Sequence, residues 1–102
     1  MADACVYLMN IDSKVFEVEL LNYPKPCFVN IGTGIGCSIA ELAKYIQAIV
    51  GFDGNIVFDI SKPDGTASKI LDVSKMKLMG WEARMPLSEG LRLTYEWYCK
   101  RL

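Results

Sequence analysis

With 102 residues, 52% of them hydrophobic and 23% charged, the chain has the make-up of one globular unit, not of a disordered or fibrous polypeptide. Eleven Lys and Arg against twelve Asp and Glu leave a net charge of −1, which sets up no long-range field to gather nucleic acid or an anionic membrane. The sequence has no histidine and its four cysteines are widely spaced, so the usual zinc frameworks are excluded and no metal ligand is nominated.

In chain order, Ala2 to Met9 is a short, dense apolar run that suits a buried helix, and no N-cap residue precedes it. Residues Ser13 to Pro26 mix apolar and acidic side chains and read as helix or loop until Tyr23-Pro24-Lys25-Pro26 breaks any regular element. Cys27-Phe28-Val29-Asn30-Ile31 meets Gly32 at its end, the pattern of an almost fully buried strand. Ser38 and Glu41 form a capping box ahead of Ile39, Leu42, Ala43, Ile46 and Ile49, which recur at helical spacing until Gly51. Asn55 to Ile60 reads as a second strand, and a strand, helix, strand unit of this length predicts two parallel strands joined by a right-handed crossover. Asp72 is placed to cap a short helix that ends at Gly80, and Pro86 leads into an aromatic-rich closing helix. The expected architecture is thus α/β, a small parallel sheet with flanking helices, in a single domain over residues 1–102.

No stretch reaches the roughly 18 apolar residues that a bilayer crossing needs, and no basic region with a following apolar run opens the chain. A cytoplasmic protein is expected, with Cys5, Cys27, Cys37 and Cys99 as buried free thiols. A chain this short buries only about 60 to 65% of the surface exposed on unfolding, so part of its apolar surface is expected to want a partner.

Three stretches invite a functional reading. Gly32-Thr33-Gly34-Ile35-Gly36 lies where a dinucleotide loop would sit, but the third glycine of that fingerprint falls on Cys37, so a plain tight turn is expected and no cofactor residue is nominated. Ser61-Lys62-Pro63-Asp64-Gly65-Thr66 follows the second predicted strand at its carboxyl end, where open parallel sheets bind ligands. There Asp64 can accept hydrogen bonds from a ribose or base and Lys62 and Lys69 can neutralise a diphosphate, unless Asp64 only closes a Pro-Asp-Gly turn. Trp81, Tyr95, Trp97 and Tyr98 are expected in the core, because a base-stacking surface comes with a basic groove that this chain lacks. No acid, base or nucleophile can be nominated, so no catalytic residue is assigned.

The ordered set Met1-Ala2-Asp3-Ala4-Cys5, Asn30-Ile31-Gly32-Thr33-Gly34, Ser38 to Ala43, Val57-Phe58-Asp59, Ser61 to Thr66, Lys69 to Val73 and Leu78-Met79-Gly80-Trp81 resembles the last third of the GDP-L-fucose synthase family. The Asp-x-Ser-Lys-Pro-Asp-Gly-Thr run is the most specific part of the resemblance. These enzymes are extended short-chain dehydrogenase/reductases that convert GDP-4-keto-6-deoxy-mannose to GDP-L-fucose with NADPH. The resemblance implies a carboxy-terminal, GDP-sugar-binding part. NADP(H) and the catalytic groups would then lie in a Rossmann domain of the same protein that is not in this chain. It also implies that Asp64 contacts the GDP moiety and that Lys69 stands at the edge of the same site. The family often has Pro-Arg where this chain has Ala67-Ser68, a cation fewer near the diphosphate. A homodimer is left open. The rival readings are the matching domain of another nucleotide-sugar epimerase or dehydratase, and a free-standing binding or interaction domain.

Overall fold

The computed structural model describes all 102 residues as five helices and no β-strand. The helices are α1 (Ala2–Met9), α2 (Ser13–Leu20), α3 (Ile39–Val50), α4 (Ser74–Leu78) and α5 (Leu87–Cys99). They belong to two compact units, one of residues 1–35 with 70–84, the other of residues 36–69 with 85–102.

The first unit is organised around α4. Asp72 accepts a hydrogen bond from the Ser74 amide at 2.9 Å in a turn just ahead of the helix, but the N-cap position is Val73 and not the expected Asp72; Gly80 follows the helix end with φ at +96°, a conformation that glycine adopts without steric cost. Met76, the one large side chain with no exposure, faces inward with Met79, Leu20 and Ala4, and these four are the only buried residues of the chain. The Tyr7 hydroxyl of α1 donates to the Met79 carbonyl at 2.7 Å, satisfying an orphan carbonyl at the end of α4. The Trp81 indole N–H donates to Asp3 at 2.8 Å, a second tie between the start of α1 and the turn after α4.

In the second unit the capping box is made in full: Ser38 Oγ accepts from the Glu41 amide at 3.1 Å, and Glu41 accepts from the Ser38 amide at 2.8 Å. At the other end Gly51 adopts φ +72° and donates to the Gln47 carbonyl, so both expected boundaries of α3 are present. Helix α5 carries an ion triad in which Arg92 bridges Glu89 and Glu96. All three side chains are about half exposed, so the triad steadies the helix face by little. Helices α3 and α5 pack together and flank an apolar cavity of about 310 Å³ lined by Ile46, Ile49, Leu91, Tyr95 and Trp97.

Three further expectations are corrected. The parallel sheet is not formed: neither Cys27–Ile31 nor Asn55–Ile60 makes a single backbone–backbone hydrogen bond, and both stay unpaired coil. The two runs lie in different compact units, and a strand without a neighbour has no ladder to stabilise it. Their side chains are open accordingly, with Phe28 at 63% and Ile60 at 96% exposure. The aromatic core is not formed either, since Trp97 and Tyr98 are exposed and none of the buried residues lies in the second unit. The cysteines are free as expected but all four are exposed; on α1 it is Ala4 that faces the small buried centre, and the neighbouring Cys5 points away from it.

The Tyr7 contact and the Gly80 turn give a stability prediction. A Cβ at position 80 would come within 2.6 Å of the Tyr7 hydroxyl on a backbone that already disfavours side chains. Gly80→Ala should therefore cost about 1–3 kcal/mol in urea unfolding, and Tyr7→Phe about 1 kcal/mol. Equal stability of Gly80→Ala and the parent would mean that the turn is not as described. Alkylation of the native chain without reductant should add four labels, one for each exposed thiol.

Candidate functional site

The residues nominated from the sequence lie on one loop. Ser61 to Ile70 is exposed throughout and has no regular secondary structure. Its beginning is organised by Asp59, whose carboxylate accepts from the Ser61 amide at 2.9 Å and from the Ser61 hydroxyl at 2.6 Å. These two bonds, the hydroxyl's above all, hold the Asp59 carboxyl below the usual carboxylate range. The turn is therefore shaped one step before Lys62, leaving Pro63-Asp64-Gly65 to project beyond it.

Asp64 and Lys69 are both exposed and make no hydrogen bond or ion pair within the chain. The turn-closing reading of Asp64 would have its carboxylate accept a backbone amide two residues on, as Asp59, Asp12 and Asp72 do with Ser61, Lys14 and Ser74. Asp64 makes no such bond, so its acceptor capacity is open to a ligand.

Four other cations of the chain are engaged within it. Lys75 donates to the carbonyls of Pro26 and Phe28, Lys77 stands 3.5 Å from Glu82, Arg92 bridges two glutamates, and Arg101 lies 4.0 Å over the Trp97 ring. Lys62 and Lys69 are free of such ties and close in sequence to Asp64. A carboxylate acceptor with two lysines is a donor–acceptor set that suits a ribose or base together with a diphosphate.

The glycine-rich turn does not fit a dinucleotide. Gly34 adopts φ +71°, and a Cβ there would come within 2.9 Å of Val73, so the glycine serves close packing inside the first unit. The N-terminus of α3, where a pyrophosphate would sit, is taken by the Glu41 carboxylate, which bonds the Ser38 amide and hydroxyl. These bonds, the backbone one first, hold Glu41 below the usual range, so a negative charge already fills the position. NADP(H) therefore finds no residues to hold it at this turn.

A hollow of about 630 Å³ lies in the first unit among Asp3, Tyr7, Lys77, Trp81, Glu82 and Arg84. Its acidic groups are matched from within, Asp3 by Trp81 and Glu82 by Lys77. Sequence reasoning missed these ties. The Trp81–Asp3 tie spans 78 residues, so no local pattern signals it.

No family model matches the chain. It is 43% identical over 99 residues to the GDP-L-fucose synthase of Escherichia coli strain K12, an alignment covering 96% of this chain and 30% of that protein. Among solved structures, a GDP-6-OMe-4-keto-L-xylo-heptose reductase from C. jejuni superposes with a TM-score of 0.85 at 39% identity, over 99% of this chain and 29% of that one. MlghC, a GDP-mannoheptose C4 reductase from Campylobacter jejuni with NADP bound, gives a TM-score of 0.77 at 40% identity, over 96% and 28%. The chain thus spans about three-tenths of the length of the relatives it matches. No helix is long and apolar enough to cross a membrane.

The carboxylates yield a pH prediction. Asp59, Asp72 and Glu41 are all held below their ordinary values by hydrogen bonds made only in the fold. A group whose pKa is depressed on folding contributes stability that is present above its unfolded pKa and is lost as the pH falls through the folded one. The thermal midpoint should therefore be flat around neutrality and drop as the pH falls below about 4. Ser61→Ala should shrink the Asp59 share of that drop, as read from melting curves between neutral and acid pH.

Proposed function

We propose that this chain, which belongs by sequence and fold with the GDP-L-fucose synthases and related GDP-sugar reductases, is the GDP-sugar-binding part of such an enzyme. In that enzyme GDP-4-keto-6-deoxy-mannose is converted to GDP-L-fucose with NADPH. The observation that carries the reading is the Ser61–Thr66 turn: it bears the family's most specific run, and its Asp64 is left without an internal partner. Asp64 accepts from the guanosine end of the nucleotide sugar. Lys69, with Lys62, offsets the diphosphate charge. Residues 1–102 act together in this role as one nucleotide-sugar-binding domain.

The cofactor enters through a second domain of the same protein. When bound there NADPH supplies the hydride, and this chain contributes binding and orientation of the sugar nucleotide. The exposure of the second unit's apolar side chains supports such a partner. Ile46, Val50, Trp97 and Tyr98 are each between 44% and 54% exposed, an apolar face on α3 and α5 that a neighbouring domain can cover. The cytoplasm, where GDP-sugars are made, is the setting this role implies.

Two outcomes are expected. The chain alone, incubated with NADPH and the keto-sugar nucleotide, should show no turnover above a buffer control, because no group for hydride or proton transfer lies within it. In the complete enzyme Asp64→Ala should weaken GDP-sugar binding roughly ten- to a hundredfold, the loss of one bond between a charged and a neutral group. NADPH binding should stay as it was. Calorimetry with both ligands on the folded variant reads the difference, and unchanged GDP-sugar affinity would remove Asp64 from the site.

A further inference from the structure

The segment Pro26–Ile31 runs beside α4 without a β-ladder, and what holds it are side chains reaching across more than forty residues of sequence. Lys75 Nζ donates to the Pro26 carbonyl at 2.7 Å and to the Phe28 carbonyl at 3.2 Å. The Asn30 amide group donates to the Asp72 carbonyl at 3.1 Å. An ammonium has three donors on a flexible stem, so one lysine can serve two acceptors that a planar peptide edge presents two residues apart. Carbonyls at positions i and i+2 of an extended chain point to the same side, so Lys75 occupies successive acceptors on one edge of the segment.

We infer that Lys75 is a positioning residue: its ammonium stands in for the missing neighbouring strand and fixes the register of Pro26–Ile31 on α4. The register matters because the segment leads straight into Gly32–Ile35, where Gly34 is in van der Waals conflict with Val73 for any residue larger than glycine. A shift by one residue would present a side chain to Val73 where only glycine fits. Lys75 itself is therefore committed to the backbone and is not one of the cations offered to a diphosphate. The inference concerns the first unit alone and stands whether or not Asp64 binds a nucleotide.

The test uses the chain as it is. Under limiting reductive methylation followed by peptide mass measurement, Lys75 should react about fivefold more slowly than the free Lys62 and Lys69, the protection expected of two modest hydrogen bonds. Equal rates would overturn the inference. In Lys75→Met the carbonyl carbon resonances of Pro26 and Phe28 should move while those of α3 stay in place, and Lys75→Arg should restore them in part. Unmoved Pro26 and Phe28 carbonyls in a folded Lys75→Met chain would overturn it as well. The methylation rates decide the matter if that variant does not fold.

Discussion

The first unit depends on the closure of α4 around Met76, with the Tyr7 hydroxyl tying the Met79 carbonyl at its end. Helix α4 has only five residues, too few to persist in water on its own. It persists because the amides of Met79, Gly80 and Trp81 satisfy its last carbonyls, Tyr7 satisfies that of Met79, and its Met76 is closed off from solvent. Once α4 is in place, Asp72 and Lys75 bring in Asn30 and the Pro26–Ile31 segment, and Trp81 reaches back to Asp3. Each of these ties spans more than forty residues, so the unit is closed by long-range polar contacts around a very small apolar centre.

The second unit is built on a different balance. Its local rules are obeyed closely: the capping box opens α3, a left-handed glycine ends it, and an ion triad lines α5. What it lacks is burial, since none of its side chains is withdrawn from solvent. Local propensity and caps contribute only a few kcal/mol in all, whereas burial of apolar surface drives folding at about 25 cal/mol per Å². A unit with good helices and no core matches a piece whose hydrophobic face is completed by other residues.

This contrast explains which features were legible in the sequence. Helix α3 could be read to the residue, because Ser38, Glu41 and Gly51 act within a few positions of themselves. The Gly80 end of α4 was legible for the same reason, whereas its start falls one residue after the expected Asp72 cap, with Val73 as N-cap. The strands at Cys27–Ile31 and Asn55–Ile60 were misread because a buried-strand pattern records the environment the residues suit, and that environment is not supplied within these 102 residues. The core placement of Trp97 and the burial of the thiols failed on the same point. On the candidate site, the turn and its Asp64 were visible in the motif, and the structure adds that Asp59 and Ser61 shape the turn while Asp64 stays unengaged. Tyr7 and Lys75 carried no local signature, since each acts on a backbone carbonyl that no side-chain pattern reveals.

The two tryptophans fall one to each unit, Trp81 in the first and Trp97 in the second. The indole N–H of Trp81 is held by a carboxylate and its ring is half-buried, whereas the Trp97 ring is 54% exposed with a guanidinium 4.0 Å over it. The molecule thus contains two intrinsic fluorophores in unlike surroundings. Trp97, the more open ring, should be quenched by iodide more readily than Trp81, which is half-buried beside a carboxylate. Intrinsic emission can therefore follow the two units separately during unfolding, without a label and without altering a residue.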